Sequence, residues 1–147
     1  MKRNAAKEYL EQVGKLDAII DCKLADVDRL YARVTRITPT LKQDAVSGGR
    51  GGQDQLAETV AKLVDLKREI NADVDRLVDL KREIAGTLER LKQPNHYRVL
   101  YDRYVLGMTW DDIAADMGYC KRNVQVIHGG ALAALNRLLD EKKEPGD

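Results

Sequence analysis

Lys121, Arg122, Asn123 and Gln125 fall within five consecutive residues at the expected start of a helix. Their side chains suit one chemistry above others. Arg and Lys donate to guanine O6 and N7, and Asn and Gln pair with adenine N6 and N7 in the major groove of DNA. Val126 beside them offers an apolar contact. From Met117 to Leu139 the only charged residues are Lys121, Arg122 and Arg137, so the stretch carries +3, whereas residues 94–147 as a whole net −1. Arg103, Thr109 and His128 are spaced to position such a helix on phosphates, although a His on a helix serves equally well as a polar packing residue.

Other chemistries find little to build on. The chain has two His and two Cys, with no nucleophile–base spacing, so no enzyme, cofactor or metal site is expected. Asp111 and Asp112 follow Thr109, and an acidic pair in a first helical turn is explained by the helix dipole without acid–base catalysis. SGGRGG at 47–52 lacks the Lys-Ser/Thr ending of a phosphate loop and reads as a flexible turn. Cys22 and Cys120 lie far apart and are expected to be small packing residues in a reducing compartment.

The elements that must hold the basic cluster are readable around it. Thr109 with Asp112 three residues later makes a capping-box-like helix start. Ile113, Ala114 and Met117 should face inward on that helix, Gly118 should make the corner, and Tyr119, Val124 and Ile127 should close the core from the next helix. Trp110 is expected in that core too. This spacing predicts a helix-turn-helix within a domain at 94–140, preceded by a short amphipathic helix carrying Tyr97, Leu100, Tyr101, Tyr104 and Val105. A charged tail, 141–147, follows.

Upstream, the apolar residues recur at helical spacing. Val13, Ile20, Val27 and Val34 are seven apart and flanked by Leu16, Leu24, Leu30, Tyr31 and Ile37. A second row is stricter: Leu56, Leu63, Ile70, Leu77, Ile84 and Leu91, accompanied by Val60, Leu66, Val74, Leu80 and Leu88. VDLKREI occurs at both 64–70 and 78–84, two heptads apart. Sustained heptads mean a coiled-coil seam, with charged pairs such as Asp65–Arg68, Asp73–Arg76 and Asp79–Arg82 outside it. The expected architecture over 5–93 is an antiparallel helical hairpin whose loop, about 38–53, is opened by Pro39 and the glycines.

Composition agrees with this all-α reading. Of 147 residues, 25 are Lys or Arg and 24 Asp or Glu; Phe is absent, aromatics are 5% and prolines number three. A net charge of +1 excludes a whole-chain electrostatic clamp, so any nucleic-acid contact must be local. No apolar run is long enough for a membrane span, and MKRNAAKEYLEQ has no signal-peptide core, which points to the cytoplasm.

The run from Leu100 to Leu138 resembles region 4 of bacterial sigma factors. The shared features are Arg103-Tyr104, Gly107-Met108-Thr109, Ile113-Ala114, Gly118, Val124, Ile127 and Ala131-Leu132. The chain as a whole resembles a family of small phage and integrative-element proteins of Gram-positive bacteria, related to ArpU-like late transcriptional regulators. KEYLEQ, VDRLVDLKREI and TWDDIAADMGY carry that likeness. The resemblance implies a phage- or prophage-type regulator in a bacterial host cell that reads double-stranded DNA with Lys121, Arg122, Gln125 and Val126. Cys120 stands where Ser or Thr usually caps the reading helix, and Val126 where sigma factors have Gln. A homodimer through the coiled coil, or RNA polymerase, is the expected co-partner. Two rival expectations are a small-terminase-like DNA-packaging protein and an interaction module that docks on RNA polymerase without reading DNA.

Overall fold

The computed structural model describes the backbone of residues 4–47 and 51–143 and the side chains of 4–39 and 51–141. All the regular structure among these residues is helical: α1 (Ala5–Ser47), α2 (Gly51–Leu88), α3 (Pro94–Leu100) with a π-helical extension over Tyr101–Val105, α4 (Trp110–Met117) and α5 (Lys121–Lys143). Among the described residues no helix is long and apolar enough to cross a membrane. The chain divides into two compact units, residues 17–76 and residues 1–16 with 77–147.

In the 17–76 unit α1 and α2 pair antiparallel, as the contacts of Lys23 with Asp73 and Tyr31 with Lys67 require. Val27, Leu63 and Ile70, with Leu30 and Leu66, form its apolar core. The row of seven is as expected, but its companion row is not Val60 and Val74. Those two valines are each 40% exposed, whereas Thr59 and Asp73 are buried, Asp73 to 2%. The companion row lies a regular three residues on, where polar Thr59 and Asp73 alternate with Leu66 and Leu80. On α1 likewise, Leu24 and Tyr31 are exposed and Lys23 lies in the seam between Leu16 and Leu30. Asp73 is therefore a seam residue, although it also pairs with Arg76. The Thr59 hydroxyl donates to the Gln55 carbonyl at 2.8 Å, which satisfies the buried group within its own helix.

The loop is shorter than expected. Helix α1 passes through Pro39 to Ser47, and α2 begins at Gly51. Proline removes one backbone donor but does not forbid the helix, and the hydroxyls of Thr35 and Thr38 bond back to the carbonyls of Tyr31 and Val34 at 2.9 and 2.8 Å. Part of the SGGRGG run, residues 48–50, lies outside the described residues.

In the other unit the start of α1 and the end of α2 pack with the C-terminal helices. Leu10, Val13, Ile84, Leu88, Leu100, Leu132 and Leu135 share one core. The α1 N-terminus is tied down by two side chains. Asn4 Oδ1 accepts from the Lys7 N–H at 3.2 Å, and Asn136 Oδ1 of α5 accepts from the Ala6 N–H at 2.8 Å, so two orphan donors find partners. Pro94 starts α3 at the position where a missing N–H costs nothing. Helix α5 continues through Gly129-Gly130, where a Cβ at Gly130 would make an ordinary contact with His96 Nε2 at 3.4 Å.

Candidate nucleic-acid interface

Thr109 caps α4, its hydroxyl accepting from the Asp112 N–H at 3.1 Å, and Asp111 and Asp112 occupy the first turn. The helix ends at Gly118, in the left-handed region at φ 71°. The Gly118 N–H donates to Ala115 O at 3.3 Å and the Tyr119 N–H to Ala114 O at 3.0 Å, the double bond of a Schellman end. A non-glycine residue resists that φ, which is why the corner falls here. Helix α5 then starts at Lys121, its first turn closed by the Val124 N–H on the Cys120 carbonyl at 3.1 Å.

Behind the corner Val99, Ile113, Ala114 and Val124 are buried together, with Met108, Trp110, Met117 and Ile127 packed against them. Six of the seven residues expected to build the helix-turn-helix core and corner are in place. Tyr119 is the exception: its ring is 39% exposed and contributes no core contact. The turn uses its backbone N–H, and Val99 of α3 belongs to the buried cluster.

Lys121, Arg122, Asn123 and Gln125 are all exposed, and Val126 is 68% exposed. Folding alters the electrostatics in one respect. Along α5 the stretch is free of carboxylates, but Asp111 of α4 comes to 3.6 Å from Lys121 Nζ. Both side chains remain largely in solvent, so the pair is worth little.

Two of the three residues expected on phosphates are occupied inside the fold. Arg103 donates from Nη1 to the Met108 carbonyl at 3.0 Å and lies 4.5 Å over the Trp110 ring, bracing the 106–109 turn. His128 Nε2 is 2.8 Å from the Tyr104 hydroxyl, and Trp110 meets its ring edge-on at 4.7 Å. Burial, followed by the positive charges of Lys7 and Arg103, holds His128 below the usual imidazole range, and its ring is packed between Tyr104 and Trp110. Thr109 is exposed, and its hydroxyl hydrogen is free of the capping bond.

Three features here are invisible to spacing. Arg98 Nη2 donates to the Asp116 carboxylate at 3.0 Å and its carbonyl at 3.3 Å, holding the last turn of α4 to α3. Asp102, in the π-helical stretch, is 7% exposed, and its Oδ2 has no hydrogen-bond partner among the described residues. Burial pushes its carboxyl above the usual Asp range, against the pull of Arg98 at 4.0 Å. Cys22 and Cys120 are free and exposed, not packing residues, because each falls on an outward helix or turn position.

Residues 36–136 match the family model described as protein of unknown function, DUF1492. The match covers more than half of the chain. The chain belongs to the DUF1492 family. The DUF1492 region takes in the later part of α1, all of α2 to α4 and α5 through Asn136, including the whole candidate interface. No curated protein and no solved structure matches the chain.

Proposed function

We propose that this protein is a sequence-specific DNA-binding transcriptional regulator of the phage or prophage type, not an enzyme, acting in the cytoplasm of a bacterial host. The observation that carries the reading is the leading end of α5. There Lys121, Arg122, Asn123 and Gln125 stand in solvent on a helix braced from behind by a Gly118 corner and the Val99–Ile113–Val124 core. A helix so mounted presents its N-terminal side chains to base edges in the major groove. Val126 would contact a thymine methyl, and Thr109 a phosphate. The relation to ArpU-like regulators and to sigma region 4 rests on the sequence motifs.

One helix-turn-helix reads few base pairs, so useful affinity calls for a second copy or RNA polymerase. The exposed Leu24, Tyr31, Val60 and Val74 of the hairpin favour the second copy, since they leave apolar surface at heptad spacing.

Selection of bound duplexes from a random pool, with Lys121→Ala/Arg122→Ala as control, tests the reading. A motif recovered only by the wild type is the expected result, with two half-sites for a dimer. No enrichment by either protein would refute direct base readout by α5 and favour an interaction module.

A further inference from the structure

At the far end of α5 the unit formed by residues 1–16 and 77–147 carries a second feature, an open groove whose charged side chains are exposed. A cavity of about 380 Å³ opens between the link after α2, the start of α3 and the last turns of α5. Leu91, Ala134 and Leu138 make its apolar floor, and Arg90, Lys92 and Arg137 line it with charge. Among the described residues none of these three cations has an ion pair or a side-chain hydrogen bond. Glu141 is the one carboxylate in the lining, so the described walls carry an excess of two positive charges. His96 adds a ring nitrogen.

We propose that this cavity binds a phosphorylated small molecule of nucleotide size or less. Its phosphate lies among Arg90, Lys92 and Arg137 and its ring or hydrocarbon body on Leu91 and Leu138. A phosphate monoester carries a charge of roughly −1.5 to −2 at neutral pH and a diphosphate more, which offsets the excess, whereas a single carboxylate does not. Two guanidinium groups supply planar forks that match phosphate oxygens. The volume lies within the range of small-ligand sites, roughly 300–1,000 Å³. Leu91 and Leu138 also pack on the main core of this unit, so the floor is preformed.

The site is separate from the proposed base-reading surface. Arg137 follows Lys121 by sixteen residues, about 24 Å along the helix. A duplex engaged by the leading end of α5 therefore does not neutralise it, and the assignment stands independently of DNA recognition.

Titration of the full chain with ADP and with inorganic pyrophosphate, followed by the nuclear magnetic resonance signals of His96 and of residues 90–93, tests the assignment. Both probes are expected to give saturable shifts, with ADP the tighter because its ring system covers the apolar floor. Arg90→Ala/Arg137→Ala should weaken both by about tenfold or more, and Glu141→Gln should tighten both about threefold. Lys121→Ala/Arg122→Ala should leave them unchanged. If the double Arg variant loses its circular dichroism, the exposed Lys92→Gln substitution gives the same reading. The proposal is overturned by an absence of saturation up to about 10 mM probe. It is equally overturned if Lys121→Ala/Arg122→Ala, rather than the cavity variants, abolishes the shifts. A Glu-rich hexapeptide binding more tightly than ADP would reassign the cavity to a protein partner.

Discussion

Lys23 Nζ of α1 lies 2.6 Å from Asp73 Oδ2 of α2, a charged pair set into the seam of the hairpin where the heptad pattern asks for apolar side chains. Arg76 holds the other Asp73 oxygen, and Glu69 stands 3.5 Å from Lys23. The Lys23 hydrogen bond first, and that of Arg76 next, keep Asp73 below the usual carboxylate range. A polar pair at facing seam positions selects one register, because sliding either helix strands a buried charge.

Lys23→Met is therefore expected to destabilise the chain, by less than the loss of a fully buried pair because Arg76 still holds Asp73. Lys23→Met/Asp73→Leu should recover most of that loss while loosening the register. Urea unfolding of the two variants, with disulfide cross-linking between engineered Cys pairs to report register, checks both statements.

Acidification should weaken the fold through His128. Its folded-state pKa is below the ordinary 6.5, so the unfolded chain binds the proton more readily. The stability it contributes is fully present above about pH 6.5 and is lost as pH falls toward its folded value. Thermal melts between neutral pH and mild acid should show the loss, and His128→Gln should flatten that part of the profile.

Asp102 has the opposite sign. Its pKa is raised, so its contribution is fully present below the ordinary value of 3.8 and is lost as pH rises through the folded value. At neutral pH the buried carboxylate is a cost, and Asp102→Asn should raise the melting temperature there. Equal melting temperatures for the two proteins at neutral pH would contradict this.

Gly118→Ala places a Cβ on a residue at φ 71°. The space around it is open, so the cost is backbone strain alone, about 1–2 kcal/mol. Chemical denaturation measures it. Gly130→Ala, helical with an ordinary contact to His96, should cost less than Gly118→Ala.

On the proposed reading, Asp111→Asn frees Lys121 for DNA. Affinity for a selected duplex should rise about two- to threefold with no change in melting temperature, since an exposed pair contributes under about 1 kcal/mol. Fluorescence anisotropy at two salt concentrations gives the number. A fall in affinity would show that Asp111 positions Lys121 rather than competing for it.

Much of this was legible from spacing. Leu63, Ile70 and Ile84 recur at seven and are buried; Ile113, Ala114 and Val124 sit where a helix-turn-helix needs them. Gly118 turns the corner, and Thr109 caps α4. Legibility ended where a polar residue took an apolar position. Asp73 and Thr59 were passed over for Val74 and Val60, because a pattern scored on hydrophobicity cannot see a buried group satisfied by a partner. Tyr119 was assigned inward on its apolar ring, yet the turn recruits only its N–H. Spacing along the chain does not show that Tyr104 and Trp110 pack on His128, or that Arg103 reaches the Met108 carbonyl and the Trp110 ring.

The sequence by itself determined the all-helical class, the heptad period of the hairpin, the corner at Gly118 and the exposed basic start of α5. These follow from local rules: side-chain periodicity, capping, and the freedom of glycine at positive φ. The tertiary structure alone decided that Lys23 meets Asp73, that Asn136 closes the start of α1, that Asp111 reaches Lys121, and that Arg90 and Arg137 line one cavity. In the first, second and last of these the partners lie about 50 to 130 positions apart in the chain, and in the third they belong to different helices. The energy of a polar side chain depends on what stands within a few ångströms of it, and that neighbourhood exists only once the helices have packed.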